Sequence, residues 1–146
     1  MKLIVLLLLF FFNSSLPGWL TNFNEAKKAA SAKHELILLN FSGSDWCGPC
    51  IRLRKEIFES KEFVDFSTPN LVLVNADFPR SNKNKLSIEQ VKLNESLADI
   101  YNSNGKFPLT LLLDENGRVI KEWDGFPDIS PDKYVALLKQ LCDANK

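Results

Sequence analysis

The stretch Glu35-Leu36-Ile37-Leu38-Leu39-Asn40-Phe41-Ser42 is apolar at nearly every interior position rather than at every second one. A strand with one wet face alternates; a strand that does not alternate is buried on both faces. Residues 71–76 (LVLVNA) and 107–113 (FPLTLLL) repeat the pattern. Such a sheet needs a layer of helices on each side. Amphipathic segments supply them. Alanines and straight-chain residues up to Ala32 predict a helix, with Asn24 as its expected cap. Ile51, Leu53, Ile57 and Phe58 give a second helix an apolar face and leave Arg52, Arg54, Lys55 and Glu56 outside. Residues 60–66 continue it or form a further short helix. Ser87 and Gln90 fit a capping box ahead of Val91, Leu97, Ala98 and Tyr101. Ser130-Pro131-Asp132 opens a last helix with Tyr134, Leu137, Leu138 and Leu141 on one face.

The remaining segments connect these elements. Asp114-Glu115-Asn116-Gly117 predicts a hairpin turn into an alternating edge strand at residues 118–123. Residues 19–22 read as a short lead-in, the end of a first strand. Residues 80–85 read as a solvated loop. The order α, β, α, β, α, β, β, α describes an α/β fold with a central mixed β-sheet flanked by helices on both faces.

The first residues carry different information. Met1-Lys2, the apolar run Leu3–Phe12 and then Asn13-Ser14-Ser15 read as a secretory signal peptide over residues 1–15, followed by one domain over 16–146. Ten apolar residues in a helix span about 15 Å of a hydrocarbon layer roughly 30 Å thick, so a membrane tether is the lesser expectation. No cysteine follows the run closely, which disfavours a lipoprotein. Eighteen basic residues balance eighteen acidic ones, and nucleic acid is not an expected partner. The domain is expected to be exported, periplasmic or secreted, and a monomer. Outside the cytosol thiols tend to oxidise.

The chain has three cysteines. Cys47 and Cys50 lie three apart at the expected start of a helix, where one turn brings both sulfurs to the same side. Unpaired N–H groups at that start favour a thiolate at Cys47, the species that attacks a disulfide. Pro49 has no N–H to lose in a first turn and stiffens the loop between the sulfurs; Gly48 lets a partner's backbone approach. A metal site is disfavoured, because only His34 and Cys142 remain as further soft ligands, at irregular spacing. A purely structural disulfide is disfavoured too, since so small a loop constrains little entropy. Cys142 reads as a buried inert thiol and His34 as a surface or capping residue.

Trp46-Cys47-Gly48-Pro49-Cys50, between a buried strand and an amphipathic helix, resembles the active site of the thioredoxin family, and the resemblance covers nearly all of residues 22–142. The lead-in Phe41–Trp46 looks more like that of exported bacterial members. The resemblance implies a thioredoxin fold and a thiol–disulfide oxidoreductase that reduces protein disulfides. It implies Cys47 as nucleophile and Cys50 as resolving thiol. Phe107-Pro108 falls at the family's cis-proline and, with Trp46, Gly48 and Pro49, is expected to receive substrate. No cofactor and no metal are expected; a membrane thiol reductant is the expected electron donor. A disulfide oxidase or isomerase of the same fold, and a non-catalytic binding module, stay open as alternatives.

Two positions depart from the family pattern. Asn40 stands where the family keeps a buried aspartate, so an amide replaces a group able to exchange a proton with Cys50. The lysine often paired with that aspartate is also missing, with Leu73 as the nearest equivalent by spacing.

Overall fold

The computed structural model describes residues 18–146. The apolar leader and its boundary lie outside them. Strands β1 (Leu36–Ser42), β2 (Leu71–Asp77), β3 (Leu109–Leu113) and β4 (Val119–Asp124) form one mixed sheet in the order β2-β1-β3-β4. β1 runs parallel to β2 and antiparallel to β3, and β4 is antiparallel to β3. Five helices cover the sheet: α1 (Phe23–Lys33), α2 (Gly48–Leu53), α3 (Lys61–Asn70), α4 (Ile88–Tyr101) and α5 (Pro131–Ala144). α2 widens directly into one π-helical turn, Arg54–Phe58.

The absence of alternation in β1 has the expected cause. Ile37, Leu39 and Phe41 point to one face, with Val72, Val74, Leu109 and Leu111, under Ala26 and Ala30 of α1 and Leu97 of α4. Leu38, Leu73 and Leu112 point to the other, under Leu53, Ile57, Phe58, Phe63 of α3 and Tyr134 and Leu138 of α5. Cys142 is a buried free thiol in that second layer, and burial pushes its pKa up. His34 closes α1 in a left-handed conformation at φ 55°, with its side chain in solvent.

Several local expectations change. Asn22, not Asn24, caps α1: its Oδ1 accepts from the N–H groups of Asn24 at 2.9 Å and Glu25 at 3.2 Å. Asn24 already lies in the first turn, where its own N–H needs a partner. The lead-in is a single bridge, with Leu20 donating to the Leu73 carbonyl at 2.8 Å and accepting from Asn75 at 2.9 Å. Residues 60–66 belong to a longer helix that runs through Pro69 to Asn70, where the Asn70 side chain donates to the Phe66 carbonyl at 2.7 Å in the turn to which Pro69 brings no N–H. β3 begins at Leu109, after the Phe107–Pro108 peptide. Ser87 caps α4, but only half of the capping box forms: the Gln90 N–H reaches Ser87 Oγ at 3.1 Å, while the Gln90 side chain donates to the Thr21 carbonyl at 2.9 Å.

Leu38 is fully buried at the centre of the sheet. Leu38→Ala is expected to cost about 2–5 kcal/mol in urea denaturation. Ile88→Ala, at a side chain largely in solvent, should stay within about 0.5 kcal/mol.

Candidate active site

The site grows out of the end of β1. The chain turns at Gly43, whose carbonyl accepts from Trp46 at 3.2 Å and Cys47 at 2.9 Å. Cys47 then stands at the N-cap of α2 in extended conformation, and its Sγ accepts the Cys50 N–H at 3.3 Å. Cys47 and Cys50 form a disulfide, S–S 2.11 Å, with Cα atoms 5.2 Å apart. Cys50 Sγ accepts the Gly43 N–H at 3.5 Å. Both sulfurs therefore face backbone donors, and in the dithiol state those donors favour thiolates. Cys47 is 4% exposed and Cys50 3%, while Gly48 and Pro49 between them form an exposed tip. A methyl on Gly48 would meet nothing within 4 Å, so the tip is open to an incoming chain.

Trp46 is held on several sides. Its Nε1 donates to the Phe78 carbonyl at 2.7 Å, Phe107 stands edge-on at 5.4 Å, and the Arg80 guanidinium lies 3.8 Å from the ring centre. Gly43 lies against the indole, where any Cβ would come within 2.3 Å of it. The Phe107–Pro108 peptide is cis, and the buried Pro108 passes its carbonyl to the Gly125 N–H at 2.9 Å. Gly125 has φ 83°, which a side chain rarely adopts. Phe107 thus packs on Trp46, the residue before Cys47, and Pro108 follows it across the cis peptide.

Asn40 is buried and hydrogen-bonded at both ends of its amide. It donates from Nδ2 to Asn75 Oδ1 at 3.1 Å, and its Oδ1 accepts from Thr110 Oγ1 at 3.1 Å. The three residues are in register across β2, β1 and β3. This corrects the expectation for Leu73. Leu73 pairs with Leu38 in the apolar core, and the neighbour of Asn40 on β2 is Asn75. Spacing along one strand does not set the register between two. Asn40, Asn75, Ser42 and Ser44 line a cavity of about 280 Å³ with Arg54 and Glu59, whose side chains pair at 3.5 Å.

The turn itself holds residues that spacing did not single out. Asp77 accepts from Ser44 twice, from N at 2.9 Å and Oγ at 2.5 Å. Asp45 accepts from the N–H groups of Arg80 and Ser81, each at 2.9 Å, and from Asn84 Nδ2 at 3.0 Å. These donors, the Arg80 N–H first, hold the Asp45 carboxyl below the usual aspartate range. Residues 80–85 are exposed, as expected of a solvated loop, and they also contain a 3-10 turn, Asn82–Asn84, tied to the active-site turn. A serine and an aspartate just after a strand are the signal that was available for this clasp.

The family model for thioredoxin-like domains matches residues 23–141. The chain belongs to the thioredoxin-like family. It is 34% identical to the disulfide bond reductase DsbH of Chlamydia pneumoniae over 118 residues, 81% of this chain and 69% of that protein. It is 31% identical over 102 residues to the thioredoxin-related protein DsbJ of the same organism, 70% of this chain and 28% of that one. The solved structure of a DsbH oxidoreductase superposes with a TM-score of 0.78 at 31% identity, covering 88% of this chain and 86% of the other. The protein is a thiol–disulfide oxidoreductase of thioredoxin fold whose redox pair is Cys47–Cys50.

Gly43→Ala places a methyl inside the Trp46 ring, so the indole must move and release the Phe78 carbonyl. The expected result is a loss of about 1–3 kcal/mol and a changed Trp46 fluorescence, read against Trp46→Phe. The Asp45 clasp has a defined pH sign. Its folded pKa is depressed, so its stabilisation is present above the ordinary aspartate value and lost as pH falls through the folded one. Acid titration of the same fluorescence should show this leg, and Asp45→Asn should remove it.

Proposed function

We propose that the chain is an exported reductase of protein disulfides. The observation that carries this reading is the Cys50 N–H aimed at the Cys47 sulfur at a helix start, beneath an exposed Gly48-Pro49 tip. In the reduced enzyme Cys47 thiolate attacks a client disulfide, forming a mixed disulfide and releasing one client thiolate. Cys50 thiolate then attacks the Cys47 sulfur, releasing the second client thiolate and leaving the Cys47–Cys50 disulfide. Two electrons pass to the client. A membrane thiol reductant restores the dithiol by the reverse exchange. Trp46, Phe107 and Pro108 receive the client segment beside the sulfurs. The likeness to DsbH, a disulfide bond reductase, supports the direction, and the apolar start of the sequence supports export.

Reduction of insulin disulfides with a thiol donor tests the reading. Activity is expected from the unaltered chain and none from Cys47→Ser, and Cys50→Ser should accumulate mixed disulfides through Cys47. Equilibration with a thiol–disulfide buffer should place the couple nearer about −270 mV than about −120 mV, the reducing and oxidising ends of the fold's range. A value at the oxidising end would replace the reductase by an oxidase.

Asn40 shapes the second step. It is a carboxamide, which has no proton-accepting form near neutral pH, and its neighbours Asn75 and Thr110 are neutral as well, so this ladder takes no proton from Cys50. Single-turnover resolution of the mixed disulfide is therefore expected to accelerate in Asn40→Asp. Unchanged rates at every pH would show that deprotonation of Cys50 does not limit the step.

A further inference from the structure

The chain has four arginines, Arg52, Arg54, Arg80 and Arg118. Three of them hold a carboxylate: Arg52 pairs with Glu56 at 2.9 Å, Arg54 with Glu59 at 3.5 Å and Arg118 with Asp114 at 2.7 Å. Arg80 has no ion-pair partner within 4.0 Å among the described residues. It is also the one stacked on Trp46, the residue immediately before Cys47. Its side chain is exposed, so the unpaired charge is presented at the rim of the site.

The surroundings keep Arg80 in that state. The nearby carboxylate of Asp45 is spent on the backbone of residues 80 and 81 and on Asn84, and that of Asp77 on Ser44. Asp45 thereby fixes the chain on which Arg80 rides, and the indole face fixes the guanidinium plane. A planar donor fork held in place loses little freedom when it meets a carboxylate. Lys83 and Lys85 follow on the same segment, also without an ion-pair partner among the described residues, and add positive potential. The cleft behind this segment has one further acid, Glu95 of α4. Lys106, which precedes Phe107, is by contrast taken by Glu122 at 3.1 Å and Asp124 at 3.0 Å. The guanidinium on the Trp46 ring is thus that of the one arginine without an ion pair among the described residues.

We propose that Arg80 is a specificity-determining residue that selects disulfides whose reacting cysteine is flanked by acidic side chains. The proposal rests on the reductase reading above. An incoming acidic segment gains a charge-assisted contact with Arg80 while its sulfur approaches Cys47, and Lys83 and Lys85 steer the encounter. A basic flank meets repulsion at the same place.

The test uses three synthetic cyclic peptides with the same disulfide ring and Glu, Ser or Lys beside the reacting cysteine. Their kcat/KM values are compared at low and high salt. At low salt the Glu peptide is expected to exceed the Lys peptide by about tenfold, and salt should shrink the ratio. Arg80→Gln should bring the ratio near one, Arg80→Glu should invert it, and Arg80→Lys, which keeps the charge but not the planar fork, should retain only part of it. Turnover of all three peptides without preference overturns the proposal alone. A common loss on all three in Arg80→Gln, with the ratio intact, overturns it too, because that is the signature of packing on Trp46. No turnover of any peptide removes the reductase reading and the proposal with it.

Discussion

The sulfur of Cys47 stands where a helix leaves its first N–H groups without intrahelical partners, and the site depends on that placement. The Cys50 N–H satisfies itself on Cys47 Sγ at 3.3 Å, so the nucleophile is also the cap of its own helix. The same geometry serves the structure and the chemistry. A cap wants an acceptor, and a thiolate is a better acceptor than a thiol. Reduction of the disulfide therefore puts negative charge where the helix start already favours it. Pro49 fits because the turn asks nothing of its missing N–H, and the Gly43 N–H gives Cys50 Sγ a backbone donor of its own.

The sheet makes this placement rigid. β1 is central and packed on both faces, so its end cannot shift without disturbing two layers of core. The turn after it is pinned from β2 as well. Asp77 binds Ser44, the Phe78 carbonyl binds Trp46, and Asp45 binds the segment that follows. The rim of the site is thus a joint product of the ends of β1 and β2. An acidic residue, a serine and an indole do there what a longer loop would do with less certainty.

Beneath the pair, the chain keeps a neutral polar ladder rather than an ionisable one. Asn75, Asn40 and Thr110 satisfy one another across three strands. Buried amides and hydroxyls cost little once paired, whereas a buried carboxylate would need a cation or would shift its pKa upward. The ladder therefore stabilises the sheet without supplying a proton acceptor. Charge near the adjoining cavity is confined to the Arg54–Glu59 pair, which neutralises itself.

What the sequence determined by itself follows from short-range rules. Non-alternating apolar runs mark doubly buried strands, Asn116-Gly117 marks a hairpin with Gly117 at φ 86°, and two cysteines one turn apart at a helix start mark a redox couple. These features depend on neighbours within a few positions, so they are legible along the chain. The partner of Asn40 and the partners of Asp45 are not. Asn40 meets Asn75 only once β1 and β2 adopt their register, and Leu73 looked equivalent only because spacing ignores register. Asp45 meets Arg80 and Asn84 across thirty-five and thirty-nine positions of chain. Contacts of that reach arise from how the sheet folds the chain back on itself. That Asp45 spends its carboxylate on the backbone of residues 80 and 81 rather than on the Arg80 side chain is therefore a property of the tertiary structure.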